Sequence, residues 1–295
     1  MFDLATAPLP HDQATDRNSG LPTPRSRTFA SQQRRLQRSL AEAVAGGDLL
    51  LRYQPRLALD TGRQTAAEAV IRWRDRQGGP NAPSAFARMA EDSGVSGEIG
   101  GWMLRAACAE AASWPSGCVV SVAVSARQLA GGMLLGQIAA ALEESGLNPE
   151  LLEVALTEAS LIDLSVNTLL LLSAIRDLGA GVALDRFGAG LASLAVLHRL
   201  PLTAMKLDGS LLGSLAGDGQ GAALVRTIIA AGHALDLAVV ADGIGTAEQC
   251  ARLRAGGCDE GQGALFGQSL SGVDMRARHA DQRPTDTCMA VVQQP

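Results

Sequence analysis

Between residues 31 and 272 short apolar runs alternate with longer amphipathic segments, and few folds accept that rhythm. The runs are LLLRYQPRLAL, AAEAVIRW, CVVSVAV, LLEVALT, GVALD, TAMKLD, LAVVAD and the less apolar CDEGQG. Helices are expected near 83–113, 133–145, 165–178, 190–199, 220–235 and 246–255. Strands of roughly five to eight residues, apolar on both faces, suit a parallel sheet covered by helices. Glycines such as Gly179 and Gly256-Gly257 end helices just before the next strand. About eight β–α units in roughly 240 residues is the size of one (β/α)8 barrel. A doubly wound open sheet shares the rhythm, but no GxGxxG follows a first strand. The expectation is an α/β fold, a (β/α)8 barrel of the TIM type over residues 31–272. Flexible tails are expected at 1–30, which holds four prolines, and at 273–295.

Composition narrows the function. The chain has 295 residues, 47% hydrophobic and 19% charged, which suits one large core and excludes a disordered protein. A formal charge of −5 argues against generic DNA or RNA binding, which needs a basic surface. The five cysteines are odd in number, widely spread and without CxxC spacing, so neither a disulfide framework nor a zinc site is expected. The N-terminal MFDLATAPLPHDQ lacks the basic start and apolar run of a signal peptide. Arg226, His233 and Asp236 interrupt the apolar stretches, so no membrane span is expected. A reducing, cytoplasmic location is the expectation.

Barrel enzymes place their chemistry at the C-terminal ends of the strands. The charged residues expected there are Glu68, Glu158, Asp185, Arg186, Lys206, Asp208 and Asp242, and Lys206 is the sole lysine. Strand ends border solvent and are often polar, yet so many converging charges point to a polar pocket.

From about Leu36 to Leu270 the ordered motifs resemble the EAL domain, the bacterial phosphodiesterase family that linearises cyclic di-GMP. Tyr53-Gln54-Pro55 resembles its opening YQP, and Glu68-Ala69-Val70-Ile71-Arg72-Trp73 its signature EALIRW. Pro83-Ser84-Ala85-Phe86 and Ala90-Glu91-Asp92-Ser93-Gly94 resemble PxxFIxxAEESG, and Ser125-Ala126-Arg127-Gln128 the end of NxSARQ. Asp185-Arg186-Phe187-Gly188-Ala189-Gly190 is similar to DDFGTG, and Leu200-Pro201 with Lys206-Leu207-Asp208 to LPxxxxKID. Ala241-Asp242-Gly243-Ile244-Gly245 stands where AEGVE belongs, and Gln262-Gly263 where AQG does.

The resemblance implies a reaction in which two magnesium or manganese ions activate water against a phosphodiester. Glu68, Asp185 and Lys206 keep family positions, and Asp242 replaces a glutamate. Ala123 and Ala155 stand where the family has ligands, Arg186 replaces an aspartate, and Gly245 replaces a glutamate. Magnesium demands near-octahedral oxygen ligation. Three carboxylates facing Lys206 and Arg186 supply too few donors and too little negative charge. No metal cofactor and no hydrolysis are therefore expected, and Glu68, Asp185, Lys206 and Asp242 are read as vestigial. The pocket shape can outlive the chemistry. Gln54, Glu68, Arg72, Arg186, Lys206, Asp208 and Gln262 are the ligand-contact candidates for cyclic di-GMP, with Glu158 supporting the loop after Asp185. Arg186 has two readings, a fork for phosphate or an internal ion pair with Glu68 and Asp185. The resemblance also implies homodimer contacts around Phe187, Gly188 and Gly190. A silent receptor is the first functional reading, a scaffold that regulates a protein partner the second, and an active phosphodiesterase the third.

Overall fold

The computed structural model describes residues 46, 48–75, 79–80, 96–115, 117–161, 165–189, 194–216 and 219–281. The expected tail at 1–30, the first part of the helix expected near 83–113, Gly190 and the region beyond 281 lie outside these residues. The strands are β1 (Leu49–Ala58), β2 (Gln64–Asp75), β3 (Gly79–Pro80), β4 (Val119–Ala123), β5 (Leu152–Thr157), β6 (Gly181–Phe187), β7 (Ala204–Leu207), β8 (Ala238–Ala241) and β9 (Glu260–Gln262). They pair in the order β1-β9-β8-β7-β6-β5-β4-β2, with β3 beside β2, and a β1–β2 pairing closes the ring. The expected eight-stranded α/β barrel is thus observed.

One strand departs from the expected parallel pattern. β1 runs antiparallel to both β2 and β9. The reason is the connection: only residues 59–63 join β1 to β2, and a parallel crossover needs about a dozen residues or more. Asp60 Oδ1 accepts from the Thr61 amide at 2.6 Å, and Gly62, at φ +69°, donates to the Ala58 carbonyl at 2.9 Å. The chain therefore reverses in one turn.

Val120, Val122, Leu152, Val154, Leu156, Val182, Leu184, Met205, Leu207 and Val239 are fully buried in the cluster that strands share with helices. In the helix Gln220–His233, an added Cβ at Gly232 would lie 2.6 Å from Val239 Cγ2 and 3.0 Å from Met205 Cε. Glycine there lets the helix approach the sheet. On the alternate face of the strands Ala155, Ala183 and Ala204 form a separate cluster. Small residues there leave room for long polar side chains inside the barrel.

Its floor uses that room. Arg56 on β1 pairs with Glu153 Oε1 through Nη1 at 2.8 Å and with Glu153 Oε2 through Nη2 at 3.3 Å, while its Nε faces Glu260 Oε2 at 2.8 Å. Arg56 and Glu153 are buried. Their charges persist because each satisfies the other, an arrangement costly to break from one side.

Two expectations are corrected. The C-terminal tail does not begin at 273, because a helix spans Gly272–Asp281 and its Met275 is fully buried. Met275→Ala should cost about 2–5 kcal/mol by cavity formation, read as a lower urea midpoint. An unchanged midpoint would mean that this helix adds nothing to the core. The cysteines are not all isolated thiols either: Cys108, Cys118 and Cys258 are buried and free, whereas Cys250 is disulfide-bonded. No helix among the described residues is long and apolar enough to cross a membrane.

Candidate functional site

The strand ends bring Glu68, Asp185, Lys206, Asp242 and Gln262 into one polar cluster. Glu68 on β2 pairs with Gln54 across β1, and Asp185 lies near the end of β6. Lys206 lies on β7, Asp242 follows β8, and Gln262 ends β9. The Lys206 ammonium donates to Glu68 Oε2 in a short contact and lies 3.3 Å from Asp185 Oδ1. Gln262 Nε2 donates to the same Glu68 oxygen at 2.6 Å and to Asp242 Oδ1 at 3.0 Å. Lys206 and Gln262 are buried, at 6% and 4% exposure. One lysine and one amide thus knit three carboxylates together.

Burial alone would lower the Lys206 pKa, but Glu68, Asp185 and Asp242 outweigh it and hold the ammonium above its usual range. Burial would raise Glu68, and Lys206, Gln262 and Arg56 outweigh that, so its carboxyl stays below the ordinary value. Asp185 goes the other way: its burial outweighs Lys206, and the charges of Glu68 and Asp242 add to the rise.

The other candidates are tied to the walls. Gln54 Nε2 donates to the Gly267 carbonyl at 3.0 Å and the Gly263 carbonyl at 3.5 Å. Arg72 donates to the Ile71 carbonyl at 3.1 Å and to Ser269 Oγ at 3.5 Å. Asp208 caps the short helix Gly209–Leu212 through the Ser210 amide at 2.9 Å. Glu158 Oε1 accepts from the Gly188 amide at 2.9 Å, fastening the loop after β6. The tight turn there needs glycine, since Gly188 has φ +93° and a Cβ would meet Leu211 Cδ1 at 2.6 Å.

Arg186 sits where β6 and β7 lose register between Leu184 and Phe187. Its φ is +59°, a left-handed conformation that costs a non-glycine residue roughly 1–2 kcal/mol. Its amide donates to Asp185 Oδ1 at 3.0 Å, and the residue is exposed. Among the described residues no ion pair joins its guanidinium to Glu68 or Asp185. The internal ion pair considered for Arg186 is made by Lys206 instead.

The donor set does not suit a pair of divalent ions. Ala123 is exposed at the end of β4, and Ala155 lies beside Ala183 of β6, each offering a methyl group. Gly245 offers only an amide, which donates to Gln249 Oε1 at 2.9 Å. The side-chain carboxylates that remain there are those of Glu68, Asp185 and Asp242. Hard cations need several free oxygen ligands, and this cluster presents few.

Sequence reasoning missed Arg52, Arg56, Glu153, Glu260 and Ser269. Strand alternation could have found the arginines, because Arg52 and Arg56 flank Gln54 at the period of two that puts side chains on one face.

Comparison with known proteins adds the following. The sequence profile of the EAL domain matches residues 37–269. The chain is 36% identical over 245 residues to the cyclic di-GMP phosphodiesterase NbdA of Pseudomonas aeruginosa, covering 82% of this chain and 31% of NbdA. It is 33% identical over 252 residues to the bifunctional diguanylate cyclase/cyclic di-GMP phosphodiesterase MucR of the same organism, covering 84% and 37%. The chain therefore spans about a third of the length of these curated relatives. The solved PaMucR phosphodiesterase in complex with c-di-GMP superposes with a TM-score of 0.77 at 32% identity, covering 82% of this chain and 99% of that one.

Proposed function

The chain belongs to the EAL domain family, and we propose that within it this protein binds cyclic di-GMP without metal ions and leaves it intact. One observation carries the proposal: beside Glu68, Asp185 and Asp242, Arg186 brings a guanidinium where the family resemblance calls for a carboxylate. Ala123, Ala155 and Gly245 add no oxygen ligand beside it.

The residues left at the mouth suit binding better than hydrolysis. Arg186 is exposed beside the cluster, and a guanidinium pairs with phosphate in a bidentate fork without an ion. Against its burial, the hydrogen bonds from Ser210 and, least, the charge of nearby Arg186 hold the Asp208 carboxyl below the usual range. Family relatives supply the ligand class, since the PaMucR phosphodiesterase was solved with c-di-GMP bound. The signal of such a receptor would leave through its surface, to a protein partner or a second copy.

Calorimetric titration with cyclic di-GMP, once in EDTA and once in manganese, tests the reading, with the nucleotide chromatographed afterwards. The expected result is the same heat in both buffers and an intact cyclic nucleotide. Linear product in manganese would overturn the metal-free account. No heat in either buffer would make the protein a scaffold, and the exposed Val166 and Leu170 on the helix Val166–Asp177 the first surface to examine.

A further inference from the structure

Two guanidinium groups stand together at the rim of the barrel. Arg52 on β1 pairs with Val70 on β2, and Leu50 pairs with Arg72. Arg52 and Arg72 are therefore diagonal neighbours on the strand face that also carries Gln54 and Glu68. Both reach one residue of the return loop after β9. Arg52 donates to the Ser269 carbonyl through Nε at 3.2 Å and Nη2 at 2.7 Å. Arg72 donates through Nη2 to Ser269 Oγ at 3.5 Å. Among the described residues neither forms an ion pair. Partial burial and the charge of Arg52 hold Arg72 below its ordinary range. Neutral oxygens thus keep two like charges side by side. Each guanidinium carries five N–H donors, and these contacts use only part of them.

We propose that Arg52 adds a second guanidinium to the ligand-contact position of Arg72, the pair forming a phosphate clamp at the barrel mouth, one strand repeat beyond Gln54 and Glu68, with Ser269 holding the two forks in place. The inference rests on the receptor reading, in which the phosphate is that of a bound cyclic dinucleotide. The same chemistry fits free inorganic phosphate. Arg52 lies outside the signature stretch that contains Arg72, and the clamp gives it a ligand-binding role. An anion here would relieve the repulsion between the guanidinium groups and accept paired, charge-assisted hydrogen bonds.

The test uses the full chain in EDTA, as wild type, Arg52→Gln and Arg52→Lys. Glutamine retains a donor for the Ser269 carbonyl while removing the charge, and lysine keeps the charge without the fork. Arg52→Gln should weaken cyclic di-GMP binding about tenfold, the equivalent of one charge-assisted hydrogen bond, with an unchanged melting midpoint. Arg52→Lys should recover part of that loss, and it alone carries the test if Arg52→Gln does not fold. Equal affinity in all three proteins would overturn the clamp while leaving the receptor reading intact. If wild type binds no cyclic di-GMP, the receptor reading falls, and inorganic phosphate then decides. Broadening of the phosphorus resonance by wild type that is lost in Arg52→Gln would sustain the clamp. No broadening, or equal broadening by both, would overturn it.

Discussion

Ala123→Asn, Ala155→Glu, Arg186→Asp, Asp242→Glu and Gly245→Glu, combined, should produce manganese-dependent hydrolysis of cyclic di-GMP at least about a hundredfold above wild type, the scale on which misplaced reacting groups act. The backbone accepts most of these changes. Ala123 is exposed, and a Cβ at Gly245 would have Gln249 Oε1, 3.7 Å away, as its nearest neighbour. At φ +59° an aspartate is better tolerated than the arginine now at position 186. The demanding change is Ala155→Glu, because Ala155 is only 7% exposed and lies beside Ala183 in the same small-residue cluster. A carboxylate there requires a counter-charge, so the variant should melt lower than wild type in EDTA and regain stability in manganese. Product chromatography and the two melting midpoints check the result. A folded, manganese-stabilised variant without hydrolysis would show that these five side chains do not suffice for hydrolysis.

Lys206→Met should be among the most destabilising single substitutions at the site. It leaves Glu68 and Asp185 partly buried without their shared ammonium, a one-sided break worth about 3–5 kcal/mol. In a domain of this size that lowers the melting midpoint by roughly 10 °C. The signs of the titrations sharpen the test. Lys206 has a raised folded pKa, so its contribution is complete below the unfolded value and is lost only as pH climbs through the folded one. Glu68 has a lowered pKa, so its contribution is present above the unfolded value and lost as pH falls. Asp185, raised, opposes Glu68 and favours the fold as it protonates. Without Lys206 burial dominates both carboxylates, so the cost should be larger at pH 8 than at pH 5. Urea unfolding at the two pH values measures the difference, and an equal cost at both would refute the electrostatic account.

How much of this was legible in the sequence follows from what side-chain pattern can encode. The strands were visible because runs such as CVVSVAV are apolar on both faces, which few irregular segments are. The direction of β1 was not visible in its apolar pattern, which is the same read up or down. The five residues from Leu59 to Arg63 carried that information instead. The helix Gly272–Asp281 was missed because Met275 is its single buried apolar anchor among the described side chains. Its start was written nonetheless: Ser271 Oγ accepts from the Asp274 amide at 3.2 Å, the Ser-x-x-Asp pattern that opens helices. At the site, motif order named the positions, but partner choice was beyond it. Lys206 is the cation that meets Glu68, while the backbone at Arg186 takes a positive φ, a torsion that one sequence does not display.

The reversed first strand also divides its own pairings into one local edge and one long-range edge. β1 and β2 are joined by a short turn and can pair as soon as residue 75 has been made. The other edge of β1 pairs Arg56 with Gln262 and Leu57 with Gly261, about two hundred positions later. Until then that edge carries unpaired amides and carbonyls, open to any strand it meets. The last short strand, Glu260–Gln262, therefore closes the barrel against a hairpin about two hundred residues earlier in the chain, a contact that carries a large loop-closure cost.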